Sequence, residues 1–260
     1  MSSVTKRIGE IKQPRGGYLK PSQMKVVQLS DSCTLSNSEN VHWTIIGLVV
    51  DYLTRFMLTK SYEDAFRISL KGAYNAQLLT GKDTLKEAIS YMEQIQGLDD
   101  NSIVNACKLV TYDVWLRAPL SALYSKGPHE TNPDCDTVNN IRIMVQRSIA
   151  FWQINGPVVE NGFTFEPNGY TEIITSGDGD YLTEDTLWDV KVSKKSITSQ
   201  NTMQILMYWI MGKHSGNSIF ENIDKIGIFN PRQNVMHTFD MRYMPQDVIR
   251  EIEKNVIGYK

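Results

Sequence analysis

The spacing of apolar and polar residues divides this chain into a helical first part and a strand-rich second part. From Val41 to about Trp152 the apolar residues recur at helical intervals, and residues 41–58, VHWTIIGLVVDYLTRFML, are apolar on most faces. This indicates a buried helix. Three further helices are predicted at residues 62–79, 84–95 and 102–116. A fifth follows Asp136, a candidate N-cap, with one apolar face made of Val138, Ile141, Val145 and Trp152.

After Gly156 the chain changes to short segments rich in aromatic and β-branched residues, which are typical of strands. Strands are predicted at residues 163–165, 170–175, 187–192, 226–229 and 235–239, and helices at 199–211 and 245–256. This order predicts an α+β (mixed α/β) fold in which a helical half, 41–155, packs on a small central mixed β-sheet from a second half, 156–260. We expect one domain over 41–260, because the second half alone has too few helices to cover its sheet.

The first 40 residues form a separate polar, turn-rich segment in this interpretation. Within residues 1–25 the acid Glu10 stands against six basic residues, Lys6, Arg7, Lys12, Arg15, Lys20 and Lys25. Such a charge run can be an arm that contacts phosphates. The commoner alternative is a solvated tail.

Composition narrows the possible classes of protein. A chain of 260 residues with 41% hydrophobic residues can bury a core, and its net charge of −2 argues against a protein that coats nucleic acid indiscriminately. No apolar run reaches the length of about 18 residues that a membrane helix needs, and the N-terminus lacks the apolar region of a signal peptide. We therefore expect a cytoplasmic protein with no membrane partner. Three scattered cysteines, Cys33, Cys107 and Cys135, indicate free thiols.

The candidate chemistry lies in residues 177–193, GDGDYLTEDTLWDVKVS. Strand side chains alternate between the two faces of a sheet, so Leu187, Asp189 and Lys191 share one face. Glycines before Asp180 and the turn-like TEDT predict two adjacent strands, which would bring Asp180 alongside Asp189. Asp178 is a rival for the first acid.

Two carboxylates with a nearby lysine suit the cleavage of a phosphodiester bond. Mg²⁺ prefers carboxylate oxygens, a bound ion can polarise a phosphoryl group and activate water, and a lysine can stabilise the developing charge. A D-x-K triplet on a strand is more often a surface ion pair. The apolar surroundings in LWDVKV make that alternative less suitable here.

The order of these motifs resembles a known family. An acid after a Gly-rich strand, then Asp189-x-Lys191-x-Ser, then a helix with Gln204-x-x-x-Tyr208, is similar to RecB-like nuclease domains of the PD-(D/E)xK superfamily. The resemblance implies a restriction-endonuclease-like fold and a nuclease dependent on Mg²⁺ or Mn²⁺. Asp180, Asp189 and Lys191 would be its catalytic residues, and Gln204 and Tyr208 would lie near the substrate.

The resemblance also implies a third metal ligand from an upstream helix, where the family has Gly-x-x-x-His. This chain has Gly47-Leu-Val-Val-Asp51, so the implied metal ligands are Asp51, Asp180 and Asp189. Aspartate is a competent ligand for Mg²⁺ or Mn²⁺. The alternative is that Asp51 pairs with Arg55, its i+4 neighbour.

The implied partner is nucleic acid, with DNA favoured over RNA, and an oligomer or a protein partner is compatible with the pattern. RecB-like exonucleases of CRISPR systems hold an iron–sulfur cluster on four cysteines, so three scattered cysteines predict no such cluster here. Lone nuclease domains of this kind are associated with phages, mobile elements and defence systems. The alternative function is a non-catalytic PD-(D/E)xK-like module that binds nucleic acid or protein, because fold does not fix function.

Overall fold

A computed structural model describes residues 2–260, and the chain divides into two compact units. One unit comprises the residues up to Ser30 together with Trp152–Lys260, and the other comprises Asp31–Phe151. The α+β class is confirmed, because helices accompany a mixed six-stranded sheet and a separate two-stranded sheet. Within residues 2–260, none of the helices combines the length and apolarity that crossing a bilayer requires.

Ten α-helices are present in the described residues. They are α1 (Val4–Glu10), α2 (Trp43–Thr59), α3 (Tyr62–Thr80), α4 (Thr84–Glu93), α5 (Asp100–Leu109), α6 (Asp113–Arg117), α7 (Pro119–Ala122), α8 (Cys135–Asn155), α9 (Ser199–Ser215) and α10 (Gln246–Glu251). A π-helical turn, Ile252–Ile257, continues α10.

The strands are β1 (Ser2–Ser3), β2 (Lys25–Gln28), β3 (Glu160–Phe163), β4 (Ile174–Ser176), β5 (Gly179–Leu182), β6 (Thr186–Val190), β7 (Lys225–Asn230) and β8 (Val235–Asp240). The six-stranded sheet has the order β2-β8-β7-β6-β5-β3. Its β6–β7 pair is parallel, and its other pairs are antiparallel. Strands β1 and β4 form the small parallel sheet.

Two details of the helical part differ from the sequence expectation. The helix predicted at residues 102–116 is interrupted by a 3₁₀ turn at Val110–Tyr112. Asp136 is not the N-cap of α8, because the helix has already begun at Cys135. Asp134 takes that role instead, and its Oδ1 accepts a hydrogen bond of 2.8 Å from the backbone N–H of Thr137.

The two strands predicted before β5 differ from the observed strands β3 and β4. Strand β3 spans Glu160–Phe163, so it lies earlier than the strand predicted at 163–165 and shares only Phe163 with it. Residues 170–173 form a turn instead of a strand, because the Thr171 hydroxyl accepts hydrogen bonds from the N–H groups of Ile173 and Ile174. Local side-chain bonds of this kind compete with sheet formation.

The beginning of the chain is ordered, so the solvated-tail interpretation is wrong for residues 2–28. Helix α1 buries Val4 and Ile8, and β2 pairs with β8 at the edge of the sheet. The guanidinium of Arg7 donates to the carbonyl oxygens of Val256 and Asn255 at 2.9 and 3.0 Å. The buried apolar residues at helical spacing, Val4 and Ile8, therefore determine the structure of this segment, although its basic composition had suggested a tail.

Helix α9 forms the centre of the core in the unit with the larger sheet. Met203, Met207 and Met211 are fully buried there. They share one apolar cluster with Leu187 of β6 and Ile226 and Ile228 of β7. Strand β6, which carries the candidate chemistry, thus lies inside the sheet and packs closely against a buried helix.

The helical unit contains a buried polar network. The carboxylate of Asp113, only 2% exposed, accepts hydrogen bonds from Tyr52 at 2.5 Å and Ser69 at 2.6 Å. Burial raises the pKa of Asp113. Because the three residues lie on α2, α3 and α6, their hydrogen bonds join these helices.

Substitution of Gly227 by alanine is expected to destabilise the sheet by about 1–3 kcal/mol, because it overpacks a filled core. An added Cβ would lie 2.3 Å from ring atoms of Trp188, the residue opposite it on β6. Gly9→Ala is the control, because nothing lies within 4 Å of an added Cβ in α1, and alanine favours the helix. Urea unfolding followed by fluorescence should show a lower midpoint for Gly227→Ala only. Equal midpoints for Gly227→Ala and the wild type would contradict the packing at β6–β7.

Candidate active site

Strands β5 and β6 bring the two predicted acids to the same place. Tyr181 pairs with Trp188 and Leu182 with Leu187 in antiparallel register. Extending that register by one residue places Asp180 opposite Asp189. The alternation of side chains puts both acids on the face of Leu182 and Leu187, which pack in the core with α9.

The carboxylate of Asp189 is almost completely buried, with 1% of the residue exposed. The ammonium of Lys191 lies 2.9 Å from its Oδ1 and 2.8 Å from its Oδ2. The backbone N–H of Lys191 donates to the carbonyl of Phe229 at 2.9 Å, which continues the β6–β7 pairing beyond Val190. The lysine side chain is 26% exposed, so it stands between the buried acid and solvent.

Asp180 is partly buried and is tied directly to the second strand. Its Oδ2 accepts a hydrogen bond of 2.8 Å from the backbone N–H of Val190, the residue after Asp189. The prediction that Asp180 lies alongside Asp189 is therefore confirmed. Asp178 is exposed and precedes β5, so Asp180 takes the position against β6.

Helix α9 supplies two polar side chains to the same face. The amide of Gln204 donates a hydrogen bond of 2.9 Å to the hydroxyl of Tyr208, its i+4 neighbour. Burial raises the pKa of Tyr208, the Gln204 bond lowers it, and the charges of Asp189, Asp180 and Asp178 raise it again. The phenol therefore keeps its proton at neutral pH, next to the acids.

Replacing Tyr208 by phenylalanine is expected to change how stability depends on pH. The pKa is raised above the ordinary value of 10.0, so the hydroxyl ionises more easily in the unfolded chain. Its contribution to stability is complete below pH 10 and falls as the pH rises, by up to about 1.4 kcal/mol per pH unit. At pH 7 the variant should be about 0.5–1.5 kcal/mol less stable, because it loses the Gln204 bond. Urea unfolding at pH 11 should show this difference reduced, and an undiminished difference would contradict it.

Asp51 lies on α2, in the helical unit, and is engaged by the predicted alternative partner. Arg55 donates to its two carboxylate oxygens at 3.1 Å from Nε and 2.7 Å from Nη2. Across residues 2–260, no three His, Cys, Asp or Glu side chains are grouped so that they could hold a metal ion. The role of Asp51 as a third ligand stays a prediction.

The acids Asp180 and Asp189 nevertheless fit one type of metal site. Mg²⁺ is usually bound through one or two carboxylates, with waters and substrate phosphates as its other ligands. Carboxylate oxygens are the donors that such a hard cation prefers. A cation bound to Asp189 would lie close to the ammonium of Lys191. The pair of acids therefore fits a Mg²⁺ or Mn²⁺ ion that keeps several waters as its other ligands.

Sequence reasoning missed the residues that support the chain after Lys191. Asn230, 1% exposed, donates from its side chain to the carbonyl of Ser193 at 2.8 Å. Gln233 donates to the carbonyl of Lys194 at 2.9 Å. Asn230 is the last residue of β7, and Gln233 lies in the connector between β7 and β8. Their role depends on the parallel β6–β7 pairing, which no local pattern indicates.

Comparisons with protein-family models, curated proteins and solved structures found no match for this chain. The function is therefore inferred from the chemistry of the site.

Proposed function

We propose that this protein is a Mg²⁺- or Mn²⁺-dependent nuclease with a restriction-endonuclease-like PD-(D/E)xK site, and that it hydrolyses phosphodiester bonds of nucleic acid, with DNA favoured. The observation that carries the proposal is the buried Asp189 carboxylate, held by Lys191 and lying opposite Asp180 on the next strand. Gln204 and Tyr208 on the same face extend the group.

The energetics of burial support a chemical role for this pair. A buried ion pair usually contributes no more stability than well-packed apolar residues of similar volume, because both charges lose their hydration. Asp189 follows Leu187 and Trp188, which are both buried, in the middle of the sheet. An apolar residue would suit that position for stability alone, so the carboxylate favours a functional explanation.

In this proposal each side chain of the site has its own role. Asp180 and Asp189 hold the metal ion, which when bound polarises the phosphoryl group and activates water. Lys191 donates to the phosphate oxygens where negative charge develops. Tyr208, which keeps its proton, supplies a hydroxyl donor beside the acids.

A second candidate is a module that binds nucleic acid without cleaving it. The specific observation in its favour is that Lys191 lies within 2.9 Å of both oxygens of Asp189. An ion pair in which the lysine contacts both carboxylate oxygens can be structural, and it need not bind a metal.

Cleavage of end-labelled DNA and RNA, single- and double-stranded, would separate the two candidates. We expect products from DNA with Mg²⁺ or Mn²⁺ and none with EDTA. The matched control is the double variant Asp185→Asn/Lys225→Ala, because that exposed ion pair, 2.6 Å long, lies at the other end of β6 and β7. It should cleave like the wild type. Absence of cleavage of every substrate with either metal would contradict the nuclease and favour the binding module.

A further inference from the structure

The loop between β6 and α9 carries two adjacent exposed lysines, Lys194 and Lys195. They follow Lys191 by three and four residues. A chain of three residues spans at most about 10 Å and one of four at most about 14 Å, so both lysines lie close to the candidate catalytic lysine. No acid occurs between residues 191 and 220.

The backbone of this loop is held firmly while its lysine side chains stay exposed. Two amide side chains donate to it: Asn230, the last residue of β7, to the carbonyl of Ser193, and Gln233, in the β7–β8 connector, to the carbonyl of Lys194. The N–H of Lys195 donates to the hydroxyl of Ser193 at 3.0 Å. These bonds hold the backbone of Lys194 and Lys195 in place relative to β6.

A third cation comes from the beginning of the chain. Gly17 packs against the first residue of α9, and an added Cβ there would lie 2.7 Å from the Cβ of Ser199. The hydroxyl of Thr202 donates to the carbonyl of Leu19 at 2.5 Å, which fixes the same segment to α9. Arg15, two residues before Gly17, is exposed, and residues 11–30 contain no acid.

We infer that Arg15, Lys194 and Lys195, here called the basic rim, bind the phosphate backbone of a nucleic acid strand next to the candidate active site. The inference rests on the proposed function and names the surface that holds its substrate. Each strand of a duplex carries one charge per about 3.4 Å of helix axis, so about 10 Å corresponds to roughly three phosphates. The rim therefore contacts the phosphates that neighbour the scissile one. Lysine acts on phosphate as a point charge, so the contact is independent of sequence.

The test is the salt dependence of binding by the full-length chain. Asp189→Asn serves as the background, so that the labelled duplex DNA is not cut, and binding is followed by fluorescence anisotropy from 50 to 200 mM NaCl. Lys194→Ala/Lys195→Ala should lower the slope of log K against log salt by about 2, since each phosphate contact contributes about 0.9. Its loss of affinity should accordingly be about tenfold greater at 50 mM than at 200 mM salt. Arg15→Ala should lower the slope by about 1.

The control is Arg250→Ala/Lys254→Ala, which removes the same charge from exposed positions at the end of the chain. It should leave the slope unchanged. Equal slopes for the rim variant and this control would overturn the inference, whether or not the wild type cleaves DNA. If the rim variants lower the slope but the wild type cleaves no substrate, the nuclease proposal is rejected. The inference that the basic rim binds nucleic acid is then retained. Circular dichroism checks folding, and the single variants Lys194→Gln and Arg15→Ala repeat the test if the double variant unfolds.

Discussion

Asp189→Asn is expected to abolish metal-dependent cleavage and to leave the protein folded. The amide keeps the shape of the carboxylate and can still accept a hydrogen bond from Lys191, but it has no charge to hold a cation. Removal of one such group typically lowers turnover by about three orders of magnitude or more. Lys191 is partly exposed, so water can solvate its ammonium when the acid is gone.

Two measurements check this expectation. Calorimetry with Mn²⁺ should detect binding to the wild type and none to Asp189→Asn, and circular dichroism should give the same spectrum for both. Asp185→Asn is the matched control, because Asp185 also pairs with a lysine but at the other end of the strand. Turnover of Asp189→Asn at the wild-type rate would end the nuclease assignment at this site.

Lys191→Ala is expected to separate metal binding from cleavage. Removing the ammonium that lies 2.8 Å from Oδ2 of Asp189 should preserve or raise the affinity for Mn²⁺, because a competing positive charge disappears. Cleavage should still fall by about two to three orders of magnitude, the usual loss for one stabiliser of the transition state.

Lys225→Ala is the control for this variant, since it removes a lysine from the exposed pair with Asp185. It should change neither metal affinity nor turnover. Loss of Mn²⁺ binding by a folded Lys191→Ala protein would mean that the lysine supports the acid structurally, which would favour the binding module over the enzyme.

The centre of the candidate site could be predicted from sequence because its geometry is local. Asp180 and Asp189 lie on strands joined by a short turn, and the two-residue period of a strand decides which side chains share a face. In the same way the i+4 spacing on a helix brings Gln204 to Tyr208.

The surroundings of the site could not be predicted because they depend on pairings between distant parts of the chain. Strand β2 joins the sheet through β8, and its own residues, Lys25–Gln28, are too few and too polar to indicate a strand. A division into two compact units was not indicated by any sequence pattern either, and we had expected one domain over 41–260. One of the two boundaries between the units lies between Phe151 and Trp152, within the continuous helix α8, where no Pro/Gly-rich segment exists.

The contribution of both chain ends to one unit has a consequence for its synthesis. Arg7 contacts the carbonyl of Val256 across a sequence separation of 249 residues, and β2 needs β8 as its partner. Closing such long loops is slow, and neither contact can form before Val256 and β8, respectively, have left the ribosome. The helical unit is one continuous stretch, Asp31–Phe151, and can fold while translation continues. During synthesis the unit that contains Asp180 and Asp189 therefore stays incomplete until β8 and Val256 have emerged.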